Sequence, residues 1–418
     1  MATAGHQVVG LDFDARTIEG LSAGTPPVFE PGLEELMKEG LATGHLSFSS
    51  KAEQSVADIE LLWIAYDTPV DEDDNADVDW VISQIEKTLP HLPSGVTVLV
   101  SSQLPVGSVR RLEAIARDQF ATKDITFACS PENLRLGNAI KVFSKPDRIV
   151  VGVRTARDKT RLDLLLRPLT DRFEWMSVES AEMTKHAINA FLGMSVTFAN
   201  EIASICEKVG ADAKEVELGL KSESRIGPKA YLAPGAAFAG GTLARDVSFL
   251  ANVAKEKGLS TPLLSSVKPS NDEHKQWIRR RLQGLIPNLR AARIAIWGLT
   301  YKPQTDTLRR SLAIELCHWL IGQGAEVCVH DPAVKQLPKE LSTAVRMSND
   351  PVAALKGAQV LVVSTEWPQY KGIAADAIVA EAPNIMVLDP GRFLSLLAGD
   401  RRVRYMAVGT PEPLGRII

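Results

Sequence analysis

The residues best suited to chemistry run from Arg225 to Asp246, RIGPKAYLAPGAAFAGGTLARD. Small residues, Gly and Pro fill the middle and charges sit at both ends, a composition for wrapping a ligand rather than packing a core. Gly235, Gly240 and Gly241 permit positive φ or a close backbone approach. Thr242 brings a hydroxyl to whatever the glycines surround. Arg245 and Asp246 then supply both signs of charge just ahead of an expected helix. A glycine-rich surface loop is the plain alternative, so the surrounding elements must decide.

The chain has 418 residues, too many for one core, which predicts two or three domains. Hydrophobic residues make up 45% and charged residues 23%, ordinary for a globular protein. Net charge is −4, from 47 basic and 51 acidic residues, which argues against nucleic acid or an anionic membrane as the main partner. Cys129, Cys206, Cys317 and Cys328 are scattered, without the spacing of a zinc site or a disulfide framework. No apolar run approaches the roughly 18 residues of a membrane span, and MATAGHQVVGLDFD does not read as a signal peptide. These features predict a cytoplasmic protein with no bound metal.

Short β-rich runs alternate with helical patterns through the first part. Strands are expected at Gln7–Leu11, Ile59–Tyr66, Val96–Ser101, Ile125–Ala128 and Arg148–Val153, with helices at Val78–Leu89 and Ser108–Gln119 between them. This rhythm means a parallel sheet covered on both faces. Asp12, closing the first strand, suits the carboxylate that accepts hydrogen bonds from the ribose of NAD. A solvated strand end is the competing reading, because the glycine turn of a dinucleotide fold normally lies about 20 residues earlier. Only eleven residues precede Asp12, and none forms GxGxxG. From about Glu179 the pattern becomes helical, at Ala181–Val209, Val247–Lys257 and Asn271–Leu285, a segment expected to form a spine and dimer contact. The α/β rhythm then resumes at Arg293–Trp297, with the helix Leu312–Ile321 and strands at Glu326–His330, Val360–Ser364 and Ile385–Leu388. GHQVVGLDFD is weakly repeated as GAEVCVHDP at Gly324–Pro332, where a strand, loop and helix come first. By that analogy the early copy lacks a first βα unit, and the chain reads as truncated at its N-terminus, with weak NAD binding expected.

Together GHQVVGLDFD, FEPGLEEL, Asp67-Thr68-Pro69, SPENLRLG, AEMTKHAINAF, RIG, FAGGTLARD and GLTYKPQTDTLRRS resemble the UDP-glucose/GDP-mannose 6-dehydrogenase family over almost the whole chain. The resemblance implies an α/β fold of two doubly wound Rossmann-like domains joined by a helical dimerisation segment. The corresponding boundaries are 1–175 for an NAD-binding domain incomplete at its start, 176–288 for the helical segment and 289–418 for a nucleotide-sugar domain. It also implies NAD-dependent oxidation of a sugar C6 alcohol to a carboxylate, through a cysteine-bound thiohemiacetal, in polysaccharide precursor synthesis. A UDP-sugar is the expected substrate and a homodimer the expected assembly.

Carried over residue by residue, Lys185 and Asn189 match the family's Lys-x-x-x-Asn. Four apart on a helix, they share a face and would cradle a developing alkoxide. Glu132 matches the glutamate of a Pro-Glu motif, suited to proton handling, and Asp246 the aspartate that orients the catalytic water. Arg225, Gly241 and Lys302 fall to the substrate, and Asp12, Thr68 and Arg309 to the cofactor. Lys302 and Arg309 belong to the Lys…Thr-Asp-x-x-Arg loop, which would bring cations to a diphosphate. Three departures cluster on the chemistry. Thr242 stands at the cysteine's position, Gln103 at a water-binding threonine's, and Leu136 at a second glutamate's. A threonine hydroxyl is a far poorer nucleophile than a thiolate. Three functions therefore stay open: full oxidation, one-step oxidation or transient redox for epimerisation, and nucleotide-sugar binding without turnover.

Overall fold

The structure is a computed structural model describing every residue except 29, 70, 72–75, 133, 135–136, 240 and 412–418. Gly240 and Leu136, both singled out above, lie outside the described residues. The fold is α/β, and the chain divides into two compact units, Met1–Ile188 and Asn189–Ile418.

In the first unit β1 (Val8–Leu11) pairs in parallel with β2 (Leu46–Ser49). A separate five-stranded sheet runs in the order β3 (Leu61–Ile64), β4 (Thr97–Val100), β5 (Thr126–Cys129), β6 (Ile149–Gly152) and β7 (Phe173–Met176). Its pairs are parallel except β5 with β6. The helices are α1 (Ala15–Ser22), α2 (Leu33–Ala42), α3 (Ala52–Ser55), α4 (Val78–Glu86), α5 (Ser108–Gln119), α6 (Ala139–Ser144) and α7 (Ala156–Leu166). Local chemistry explains their starts: Asp14 accepts from Arg16 and Thr17 amides at the head of α1, and Thr155 from Asp158 at the head of α7. On α5, Val109, Leu112 and Ala116 are buried at helical spacing, which seats it on the sheet. The division between units falls inside α8 (Val178–Val209), 32 residues and roughly 48 Å long.

The second unit begins with helices α9 (Ala213–Ser222), α10 (Thr242–Glu256), α11 (Pro262–Lys275) and α12 (Trp277–Leu285). Then come β8 (Arg293–Trp297), α13 (Leu312–Gly322), β9 (Glu326–His330), α14 (Lys339–Ser342), β10 (Val345–Met347), β11 (Val360–Val363), α15 (Ala375–Glu381), β12 (Met386–Leu388) and β13 (Arg404–Met406). All pairs are parallel and the order is β10-β9-β8-β11-β12-β13. Renumbered from β8, that is 3-2-1-4-5-6, the Rossmann order. One core face joins Ile294 and Ile296 to Leu316 and Leu320 of α13, and the other joins Trp297 to Tyr370, Ile378 and Ile385.

One expectation needs correction. Asp246 does not precede a helix: α10 starts at Thr242, so Asp246 occupies its second turn. The helix-rich stretch expected at Asn271–Leu285 holds the end of α11, at Lys275, and all of α12, from Trp277.

Candidate active site

In the first unit the N-terminal half of α8 fastens two loops that follow strands of the sheet. Glu182 accepts the Gly107 and Val109 amides at 2.7 and 3.0 Å, capping α5 from outside. Burial raises its carboxyl pKa against the pull of those two amides. His186 contacts the Leu104 carbonyl at 2.9 Å. Lys185, 8% exposed, donates to the Glu132 carbonyl at 2.5 Å and lies 3.9 Å from that residue's carboxylate. The structure thus brings Lys185 and Glu132 together. Glu132 also receives the Leu134 amide. Thr68 is buried and donates to the Gln103 carbonyl at 2.8 Å, tying the loop after β3 to the loop after β4. Glu30 of the FEPG motif is buried too, and accepts Gly137 and Ala139 amides at 2.6 and 2.7 Å.

For a nicotinamide dinucleotide the fit is partial. Asp12 follows β1, accepts the Asp14 amide at 2.8 Å and helps burial to raise the pKa of the Tyr66 phenol. Its carboxylate suits ribose hydroxyls. Residues 1–11 hold no glycine turn leading into a helix N-terminus, so they offer nothing that fits the pyrophosphate.

In the second unit Asn189 donates its amide to Asp246, a carboxylate with no solvent exposure. Thr242 is exposed at the first position of α10, four residues before Asp246 and therefore on the same helical face. Gly241, the preceding cap, has φ 104°, a conformation that strains any L side chain. A Cβ there would also lie 3.4 Å from an Arg310 guanidinium nitrogen, placing Arg310 beside the head of α10. Lys302 and Arg309 lie on the loop between β8 and α13, Lys302 5.6 Å from the Tyr301 ring centroid. Arg225 is not gathered with them: its side chain is 86% exposed and paired with Glu223 at 2.9 Å.

The segment Gly235–Phe238 is held by residues that the sequence reading passed over. Asn200 accepts the Gly235 amide at 2.9 Å, and His274 meets the Gly235 carbonyl at 2.8 Å. Asn271 both accepts from the Phe238 amide, at 3.0 Å, and donates to its carbonyl, at 2.9 Å. A faint signal existed. Asparagine is disfavoured inside helices, yet both asparagines sit mid-helix, and Asn271 and His274 share a face at i, i+3.

All four cysteines are buried. Burial raises every thiol, Cys317 to about 12, so the thiolate that reacts is scarce at neutral pH.

Residues 1–170 match the NAD binding domain of the UDP-glucose/GDP-mannose dehydrogenase family, 179–273 its central domain and 295–395 its UDP binding domain. The UDP-glucose 6-dehydrogenase of Rhizobium meliloti (strain 1021) is 32% identical over 98% of this chain and 96% of its own length. UDP-glucose 6-dehydrogenase YwqF of Bacillus subtilis (strain 168) is 30% identical over 98% and 93%. A UDP-glucose dehydrogenase structure from Pyrobaculum islandicum superposes with TM-score 0.86 at 28% identity, covering 98% of this chain and 94% of that one. Three consecutive domain matches and near full-length relatives lead to one assignment: the chain belongs to the UDP-glucose/GDP-mannose dehydrogenase family of NAD-dependent oxidoreductases.

Proposed function

We propose that the chain oxidises the C6 alcohol of UDP-glucose, or of a closely related UDP-sugar, in the supply of polysaccharide precursors. The observation that carries this reading is the fully buried Asp246 carboxylate held by Asn189, four residues beyond Thr242. A buried carboxylate with one fixed donor is oriented before substrate arrives, as a group that positions water must be. NAD, when bound, takes the C6 hydride. Lys185 and Asn189, one turn apart on α8, stabilise the alkoxide, while Glu132 handles the proton. Asp12, Thr68 and Arg309 serve the cofactor, and Arg225, Gly241 and Lys302 the nucleotide-sugar.

Thr242 stands at the position of the family's covalent cysteine, and no buried thiol substitutes for it. Oxidation is therefore expected to halt at the C6 aldehyde or to continue slowly through its hydrate. Incubation with UDP-glucose and excess NAD should yield one NADH per sugar, with the aldehyde recovered by hydroxylamine trapping. T242C should raise the yield towards two. An inert protein that still binds UDP-glucose would favour the second reading, a binding homologue without turnover, which the exposed Thr242 also supports. Absence of both turnover and binding with every nucleotide-sugar would remove the dehydrogenase reading.

The three-domain division at 1–175, 176–288 and 289–418 is retained as part of this proposal. Phe191, Phe198 and Ile205 are exposed at seven-residue intervals on α8, with Val209 a turn beyond. That apolar seam supports a homodimer packed along α8. A cytoplasmic site of action is retained as part of this proposal; among the described residues no helix is long and apolar enough to cross a membrane.

A further inference from the structure

We propose that Asn200, Asn271 and His274 are positioning residues that set the backbone of Gly235–Phe238 for the nucleotide-sugar, an inference resting on the function proposed above. The three are 1%, 2% and 8% exposed and come from α8 and α11. Between them they engage the amide and the carbonyl of both Gly235 and Phe238. Buried backbone needs such partners, but secondary structure is the ordinary source. Here side chains replace a strand partner, so the loop keeps a strand-like satisfaction of its polar groups without the flatness of a sheet. Asn200 also reaches the Ala236 carbonyl, at 3.5 Å, a weak contact that adds to the same grip.

The clasp borders a small cleft. Its water-accessible space is about 40 Å³, and it is lined by Gly235, Ala236, Ala237 and His274, between the α11–α12 junction and the head of α13. Gly235 itself lies against Gly391, whose Cα is 3.5 Å from where a Cβ would sit, so the loop is confined on its other side. Three residues, 239–241, separate Phe238 from Thr242, so the clasped segment lies close in sequence to the head of α10.

The test compares H274A, H274Q and N271A with the unaltered protein. Calorimetry gives the affinities for UDP-glucose and, as a control, NAD; hydrogen exchange reads the Gly235 and Phe238 amides. H274A and N271A should each weaken UDP-glucose binding roughly tenfold or more, the expected result of leaving a buried group unpaired. NAD affinity should stay within about twofold. Exchange should accelerate at Phe238 in N271A and at Gly235 in H274A. H274Q, which retains an N–H donor, should restore UDP-glucose affinity to within about threefold of the unaltered protein. Unchanged UDP-glucose affinity in H274A overturns the clasp, as does an equal loss for both ligands, which would mark a general structural defect. An N271A protein that fails to fold leaves the H274A and H274Q pair to decide. If the unaltered protein binds no nucleotide-sugar, the proposed function falls as well, an outcome distinct from normal binding by both H274A and the unaltered protein.

Discussion

The two units carry the same signature, an apolar strand closed by aspartate, in contrasting surroundings. In the later copy β8 lies between β9 and β11 and pairs with both, and residues 294–297 are buried. In the earlier copy, among the described residues, β1 pairs only with β2 and β3 only with β4. Val9 is 44% exposed there, and Leu61, Leu62 and Trp63 are half-buried. The aspartates differ accordingly. Asp331, after β9, accepts the Leu299 and Thr300 amides of the turn that follows β8, at 2.7 and 3.2 Å, and the Trp367 indole at 3.1 Å. Its other oxygen accepts Ala333 and Val334 amides. Asp12 accepts within its own loop, from Asp14. An acidic strand end becomes an internal anchor where a βα turn offers amides, as at Asp331.

The strongest way to break this contrast is at the turn itself. Gly298 has φ 86°, and a Cβ there would lie 2.4 to 2.6 Å from Thr365 side-chain and backbone atoms. Backbone cannot yield as a flexible side chain can. G298A should therefore cost upwards of about 3 kcal/mol in denaturant unfolding, or prevent the second unit from folding. Stability within about 1 kcal/mol of the unaltered protein would show that the β8–β11 junction is not the tight crossing described. Next in size are the aspartates. D331N sets an amide NH2 group among N–H donors and should cost about 2–4 kcal/mol. D12N should change stability by less than about 0.5 kcal/mol yet lower NAD affinity several-fold in calorimetry. Equal destabilisation by the two substitutions would erase the distinction between the two aspartates.

The same contrast explains what could be read from sequence. β8 and β9 are legible to the residue because central parallel strands are continuous apolar runs bounded by Gly and Asp. β2, β7, β10 and β13 passed unseen: LSFS, FEWM, VRM and RYM are three- or four-residue strands of mixed polarity, three of them at sheet edges and β2 in a lone pair. Periodicity has too few residues there to work with. At the site, Lys185, Glu132, Asn189 and Asp246 were legible as motif residues, and the structure pairs Lys185 with Glu132 and Asn189 with Asp246. The clasp was not legible, since Asn200, Asn271 and His274 reach partners more than thirty residues away and no local pattern encodes that pairing.

Acid should separate the units by smaller amounts and in different pH windows. His274 is held below its ordinary pKa mainly by burial, with Arg280 adding to the effect and the Gly235 carbonyl and Glu207 opposing it. A folded pKa below the unfolded one means that its contribution is complete above about pH 6.5 and is lost as pH falls through the folded value. In the first unit the Arg154 guanidinium, helped by Arg110, holds Glu179 down to about 2. That contribution is complete above about pH 4.5 and is lost as pH falls towards the folded value. The pair is reached by solvent, so about 1 kcal/mol is expected rather than the full electrostatic equivalent of the shift. Hydrogen exchange followed by peptide can assign each loss to its unit. H274Q should flatten the decline below pH 6.5 in the second unit, and E179Q the decline below pH 4.5 in the first. An E179Q protein whose first unit still weakens by the full amount in that lower window would show that other carboxylates, not the Arg154 cluster, carry its acid sensitivity.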